Sequence, residues 1–150
     1  MIAIACDHAA LDMKREIEEL LISRGLEYKD FGTYTTDSCH YPIYGVQAAN
    51  AVAGGECEFG IVICGTGIGM SLAANKVKGI RCALCSDPYS AKMTRAHNNA
   101  NMLALGARVI GVELAKMIVD AFLDTAFEGG RHQTRVDMLT AIENGETIVG

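Results

Sequence analysis

The segment Ile63 to Ser71, ICGTGIGMS, sets a thiol directly before a glycine-rich turn. Between a buried strand and a helix, such a turn gathers backbone N–H groups at the helix N-terminus. Those donors and the helix dipole favour an anion, or an oxygen that becomes anionic. Cys64 closes the strand beside them, where a thiolate is stabilised and acts as nucleophile or base. The plainer reading is a packing cysteine next to a tight turn. Gly65, Gly67 and Gly69 also spell G-x-G-x-G, with Asp87 about 20 residues on, as in a dinucleotide fingerprint. Met70 stands where that fingerprint has Gly or Ala.

Four other groups carry chemistry by residue type. Asp7-His8 pairs a carboxylate with an imidazole, suited to proton transfer or anion binding, or equally to capping the next helix. His97-Asn98-Asn99 offers donors and acceptors for sugar hydroxyls, or forms an ordinary helix C-terminus. Arg131 and Arg135 share one helix face, which suits a phosphate or forms a solvated basic face. Arg108 sits in GARVIG between strand-like runs, a buried or interface position. Cys82-x-x-Cys85 falls within a strand, its side chains on opposite faces. That is not the helix-start placement of a redox pair, and no second pair completes a zinc site.

Alternating elements position these groups. Strands are expected at Ile2–Cys6, Leu26–Phe31, Phe59–Cys64 and Ile80–Cys85, with strand character at Met102–Leu105 and Val109-Ile110. Helices are expected over Ala9–Arg24, from Pro42 to about Ala53, from the glycine turn to about Val77, and over Pro88–His97 and Glu113–Phe127. A last helix within Arg131–Asn144 is set apart from the main body. FGIVIC at Phe59–Cys64 is continuously apolar, as a buried parallel strand must be. The pattern implies one three-layer α/β/α, Rossmann-like domain over residues 1–150, with a parallel sheet. Its crevice lies at the strands' carboxyl ends. Asp7-His8, Cys64 to Gly67, Ser86-Asp87 and His97-Asn98-Asn99 are all expected there.

The chain has 150 residues, enough for a real core. Its net charge is 13 − 18 = −5, a poor footprint for nucleic acid. No apolar run is long enough to span a membrane. The apolar start ends at Asp7 without a basic leader, so it reads as a buried first strand, and cytoplasmic residence follows. Six cysteines in such a domain read as buried small hydrophobes rather than disulfides.

Taken together, Asp7-His8, Tyr41-Pro42, Cys64 to Gly69, Asn75-Lys76, Arg81, His97-Asn98-Asn99, Leu103 to Gly111 and Arg131-x-x-x-Arg135 resemble ribose-5-phosphate isomerase type B. That family also holds galactose- and allose-6-phosphate isomerases, and the resemblance runs from about residue 1 to 145. It implies a five-stranded parallel sheet and a homodimer or dimer of dimers that uses the C-terminal helix and shares its active sites between subunits. It implies no metal and no organic cofactor. By the resemblance, Cys64 is the carbon base, and Thr66 moves a proton between substrate oxygens. The amides of Gly65, Gly67, Ile68 and Gly69 stabilise the enediolate. His97 opens the sugar ring, with Asp7 near the ring oxygens. His8, Arg131 and Arg135 clamp the phosphate, while Tyr41, Asn98 and Arg108 contact substrate. The Tyr-Pro pair is flanked by His40 and Ile43, where many members have Asp. The implied activity interconverts ribose 5-phosphate and ribulose 5-phosphate within the non-oxidative pentose phosphate pathway. The alternatives are a hexose 6-phosphate isomerase, a nucleotide-binding module without catalysis, and a thiol-redox protein using Cys82 and Cys85.

Overall fold

A computed structural model describes residues 1–150. Five strands, β1 (Ile2–Cys6), β2 (Tyr28–Asp30), β3 (Phe59–Cys64), β4 (Cys82–Leu84) and β5 (Met102–Gly106), form one parallel sheet in the order β2-β1-β3-β5-β4. Six helices follow or connect them: α1 (Leu11–Ser23), α2 (Tyr41–Ala53), α3 (Ile68–Asn75), α4 (Pro88–Asn98), α5 (Val112–Leu123) and α6 (Arg131–Glu143).

The order explains the layering. Parallel crossovers are right-handed, so the face a helix takes follows from the direction in which the chain moves across the sheet. β1 to β2 and β4 to β5 move one way, and α1 and α4 share a face with α5. β2 to β3 and β3 to β4 move the other way, and α2 and α3 cover the opposite face. The chain leaves β1 toward β2 on one side and leaves β3 toward β4 on the other. The crevice between the carboxyl ends of β1 and β3 is therefore the topological switch point, where α/β sheets bind ligands.

The central strands β1, β3 and β5 are buried on both faces. Ile61, Ile63, Leu103 and Leu105 are fully buried on the α1/α5 side. Each stabilises the fold by about 1.5–3 kcal/mol. The α2/α3 side is made of small residues, with Ala48, Ala49 and Ala74 fully buried and Met70 filling the gap. The edge strands have three residues each. Asn75 covers the open edge of β4, its Oδ1 accepting from Cys82 N at 2.8 Å and its Nδ2 donating to Cys82 O at 2.9 Å.

Three sequence expectations change. Val109 and Ile110 are not strand: their N–H groups both donate to Gly106 O, which closes a turn. β5 stops at Gly106 because the Thr66 backbone crosses there, leaving 2.6 Å for any Cβ. α5 ends at Leu123, not Phe127. Beyond it Arg95 takes the Thr125 carbonyl at 3.3 Å and Glu128 N donates to Ala96 O at 3.0 Å, so docking onto α4 displaces the last helical turn. α6 is not detached, since it packs on α4 through buried His132 and Val136. No helix is long and apolar enough to cross a membrane.

Candidate active site

Cys64 is the last residue of β3 and is 5% exposed. Its Sγ accepts a hydrogen bond from the Gly67 N–H at 3.1 Å. Gly67 is the N-cap of α3, with φ +78°. A Cβ there would meet Leu84 Cδ1 at 2.5 Å and the Leu105 carbonyl carbon at 2.8 Å, so both backbone conformation and space require glycine. The sulfur thus sits against the Gly67 amide that opens α3. Ile68 N donates to Thr66 Oγ1 at 3.2 Å, which leaves this exposed hydroxyl turned toward solvent beside the sulfur's loop. Ala107 N to Cys64 O and Arg108 N to Gly65 O, both 2.9 Å, bind the loop to the end of β5.

Asp7 follows β1, one register step past the Cys6–Ile63 pair, which sets it beside Cys64 on the neighbouring strand. Its Oδ1 accepts from Ala9 N at 2.9 Å and caps a turn, not α1, whose N-cap Ala10 has no side-chain partner. Oδ2 makes no hydrogen bond. His8 Nδ1 accepts from Cys39 N at 3.2 Å. The ring is thereby fixed as the Nε2–H tautomer, ready to donate to an anion. The Tyr41 ring lies against Gly69, where a Cβ would meet it at 2.8 Å. The Arg108 guanidinium lies over Gly65. Arg108 is exposed in the single chain, so of the buried or interface position expected for it the structure removes the buried one.

Beneath this end lies a residue pair the sequence did not single out. Lys14 on α1 is 2% exposed, and its Nζ donates to both Asp30 oxygens at 2.8 and 2.7 Å and to Thr33 O at 2.7 Å. It ties the segment from β2 to α2, which carries Cys39, to the sheet. Burial pushes the adjacent Cys6 thiol up to about 12.

The remaining expected site residues lie elsewhere. His97 and Asn98 end α4 and Asn99 is its αL cap, φ +48°. Helices of a βαβ unit run antiparallel to the strands, so this end of α4 returns to the start of β5, not to its carboxyl end. Arg95, one turn from Asn99, proves the placement: its guanidinium stacks 4.7 Å from the ring of Phe59, the first residue of β3, whereas Cys64 is the last. Five strand steps of roughly 3.3 Å separate the two ends by about 16 Å. The expectation that His97-Asn98-Asn99 joins the carboxyl-end crevice is therefore corrected. Arg131 and Arg135 belong to the same amino-end group, exposed on α6 beside His132, whose ring stacks on His97 at 4.2 Å.

The expected site residues of one chain thus fall into two groups. Asp7, His8, Tyr41, Cys64, Gly65, Thr66, Gly67, Ile68, Gly69 and Arg108 meet at the carboxyl end; His97, Asn98, Arg131 and Arg135 meet at the amino end. The other candidate chemistries lose their geometry. Asp87 is the N-cap of α4, accepting from Ser90 N at 2.7 Å, and β5 stands between its strand and β3, so it cannot serve a ribose held at the Gly65 loop. Cys82 and Cys85 face opposite core clusters, and burial pushes their thiols up to about 12 and about 11. Such thiols stay protonated and unreactive at neutral pH.

The family model described as Ribose/Galactose Isomerase matches residues 2–139. Ribose-5-phosphate isomerase B of Escherichia coli is 56% identical over 142 residues, covering 95% of each chain. The solved structure of Clostridium thermocellum ribose-5-phosphate isomerase B superimposes with a TM-score of 0.95 at 53% identity, covering 96% of this chain and 97% of that one. The Mycoplasma genitalium ribose-5-phosphate isomerase B with bound ribulose-5-phosphate gives a TM-score of 0.92 at 40% identity, covering 95% of both chains.

Proposed function

The chain belongs to the Ribose/Galactose Isomerase family, and on that premise we propose that it interconverts ribose 5-phosphate and ribulose 5-phosphate through an enediolate formed over Cys64. The observation that carries the assignment of the base is the sulfur held against the Gly67 N–H at the start of α3.

The reaction moves one proton from C2 to C1. With the aldose open, Cys64 takes the C2 proton and the carbonyl electrons move to O1. The amides of the Gly65–Gly69 loop stabilise that oxyanion, which is worth several kcal/mol in such sites. Thr66 passes the O2 proton to O1, and Sγ returns its proton to C1, giving the ketose. Before this, the cyclic aldose must open. His97 gives a proton to the ring oxygen as the C1–O4 bond breaks, and the free Asp7 oxygen takes the proton of the anomeric hydroxyl.

These roles need both half-sites on one substrate, and about 16 Å of sheet separates them within a chain. A second copy resolves this. A two-fold pairing brings the amino end of one chain to the carboxyl end of the other, twice, which suits a homodimer. Exposed apolar side chains support such a contact: Ile68, Leu72, Leu84 and Val109 around the Cys64 end, Leu139 and Ile142 on α6. The phosphate is then held by His8 of one chain and by Arg131 and Arg135 of the other. Anchoring that non-reacting end orients C1 and C2 against the sulfur.

The test is turnover of ribose 5-phosphate by wild type and Cys64→Ala, with circular dichroism to check folding. Loss of the base should cost about 10²–10⁴-fold. Full turnover in a folded Cys64→Ala would move the base elsewhere, and no turnover in the wild type would send the search to hexose 6-phosphates.

A further inference from the structure

The mechanism uses His97 but not the two groups packed on it. The His132 ring is parallel to that of His97, with planes 10° apart and centroids 4.2 Å apart. The Glu128 carboxylate lies across both, 3.7 Å from His97 Nε2 and 3.4 Å from His132 Nε2. The arrangement is built rather than incidental. Glu128 N occupies the Ala96 carbonyl in the last turn of α4. Arg95 fixes that turn from below through Asn99 Oδ1 at 3.0 Å and Ala100 O at 2.6 Å. Gly129 and Gly130, with φ of +67° and +57°, turn the chain so that α6 starts against His97.

The cluster is poorly shaped for a metal ion. Imidazole lone pairs lie in the ring planes, and two nearly parallel planes do not aim both at one ion at about 2.0–2.1 Å. Its geometry fits a proton carrier held in place. Burial, with His97 and Arg131 nearby, lowers His132 from the ordinary imidazole value, while Glu128 acts in the opposite sense. Arg131 and Arg135, on the same helix, bring two positive charges to this end, and Glu128 is the carboxylate that lies against both rings.

We infer that Glu128 and His132 are positioning residues for ring opening: the stack sets the plane of His97, and the carboxylate lies against the Nε2 edge of both rings and holds His97 where it presents its proton to the ring oxygen. This rests on the isomerase reading above. It makes a division that reading alone does not. Ribulose 5-phosphate cannot close onto its phosphorylated O5, so exchange of its C1 proton with solvent needs Cys64 but no ring step.

The experiment compares wild type and Glu128→Gln in two assays: ribose 5-phosphate turnover, and deuterium uptake from D2O at C1 of ribulose 5-phosphate, followed by NMR. Glu128→Gln should lower turnover about tenfold or more and leave C1 exchange within about twofold of wild type. Glu128→Asp should recover part of the turnover. His132→Phe, which keeps a flat ring on His97, should turn over ribose 5-phosphate faster than His132→Ala. Unchanged turnover in Glu128→Gln, or turnover and exchange falling together, would overturn the inference, as equal losses in the two His132 variants would overturn the stack. A wild type that neither turns over ribose 5-phosphate nor exchanges deuterium at C1 would instead overturn the isomerase reading.

Discussion

The two ends of the sheet are built by different means. At the carboxyl end, function rests on backbone. The Cys64 sulfur, the Gly67 amide and the Thr66–Gly106 crossing are locked by strand register and by glycines that nothing larger can replace. At the amino end, function rests on side chains. Arg131 and Arg135 are exposed, and Glu128 reaches the two imidazoles at 3.4 and 3.7 Å, longer than hydrogen bonds. The rigid end suits a step in which an oxyanion develops and must meet donors already in place. The looser end suits recognition of a phosphate and delivery of a proton. Since one chain holds both ends far apart, the proposed reaction needs the two ends to come from two chains, with neither end a complete site alone.

The largest effect tests that last step. Cys64→Ala and His97→Ala should each be nearly inactive alone. Mixed in equal amounts and allowed to exchange subunits, half of the dimers are hybrids, and each hybrid has one site with both intact halves. Activity should rise to about a quarter of wild type. Hybrids detected by native mass spectrometry that stay inactive would mean that each chain builds its whole site alone, and the two-ended comparison would fail.

The carboxyl end was legible in the sequence because its chemistry is contiguous. A strand, a cysteine, a glycine turn and a helix follow one another, and the local rules for each agree. The amino end was misplaced for a specific reason. His97 reads as preceding a strand, and only topology tells that a helix antiparallel to the sheet delivers its last residues to the strand's start. Glu128 and His132 were passed over because their partner is 31 and 35 residues away in sequence, although His132 stands directly beside Arg131. Lys14 was passed over for another reason: in LDMKREIEELL it shares the apolar face with Leu11, Ile17 and Leu21, but a lysine there reads as one whose stem packs while its ammonium reaches solvent. Nothing in that pattern says that its ammonium is carried inside to Asp30.

Lys14 sharpens the contrast in stability. Lys14→Met should destabilise the fold by about 3–5 kcal/mol, since it leaves Asp30 partly buried without its cation. No comparable loss is expected from exposed Arg131 or Arg135. Burial and the nearby Asp30 already push the Glu18 carboxyl up. Removing Lys14 leaves those two carboxylates facing each other, and the folded state then holds protons more tightly than the unfolded one. Stability gained that way is present at low pH and is lost as pH rises through the raised value. The melting temperature of Lys14→Met should therefore rise as pH falls from neutral toward 5, which thermal scans at several pH values would check. A flat profile, or a loss no greater than for the arginine variants, would mean that the pair contributes little to the rigidity of the carboxyl end.

Arg135 gives the smaller effect and the finer test of the amino end. Arg135→Ala removes one charged donor from the phosphate, worth about 10–100-fold in kcat/KM for ribose 5-phosphate, mostly through KM. The fold should be untouched, because the side chain is exposed and its neighbour Val136 carries the packing of α6. Arg135→Lys keeps the charge and loses the planar fork, so it should fall between the two. Salt separates the ends further. Clamp charges at a solvent-facing surface are screened within about 8–10 Å at physiological ionic strength. Raising salt should increase KM for the wild type and do so less for Arg135→Ala. Deuterium exchange at C1 under saturating substrate, which depends on the enclosed Cys64 end, should change little. If salt moves both parameters together, the phosphate clamp and the thiolate site are not separable in the way the fold suggests.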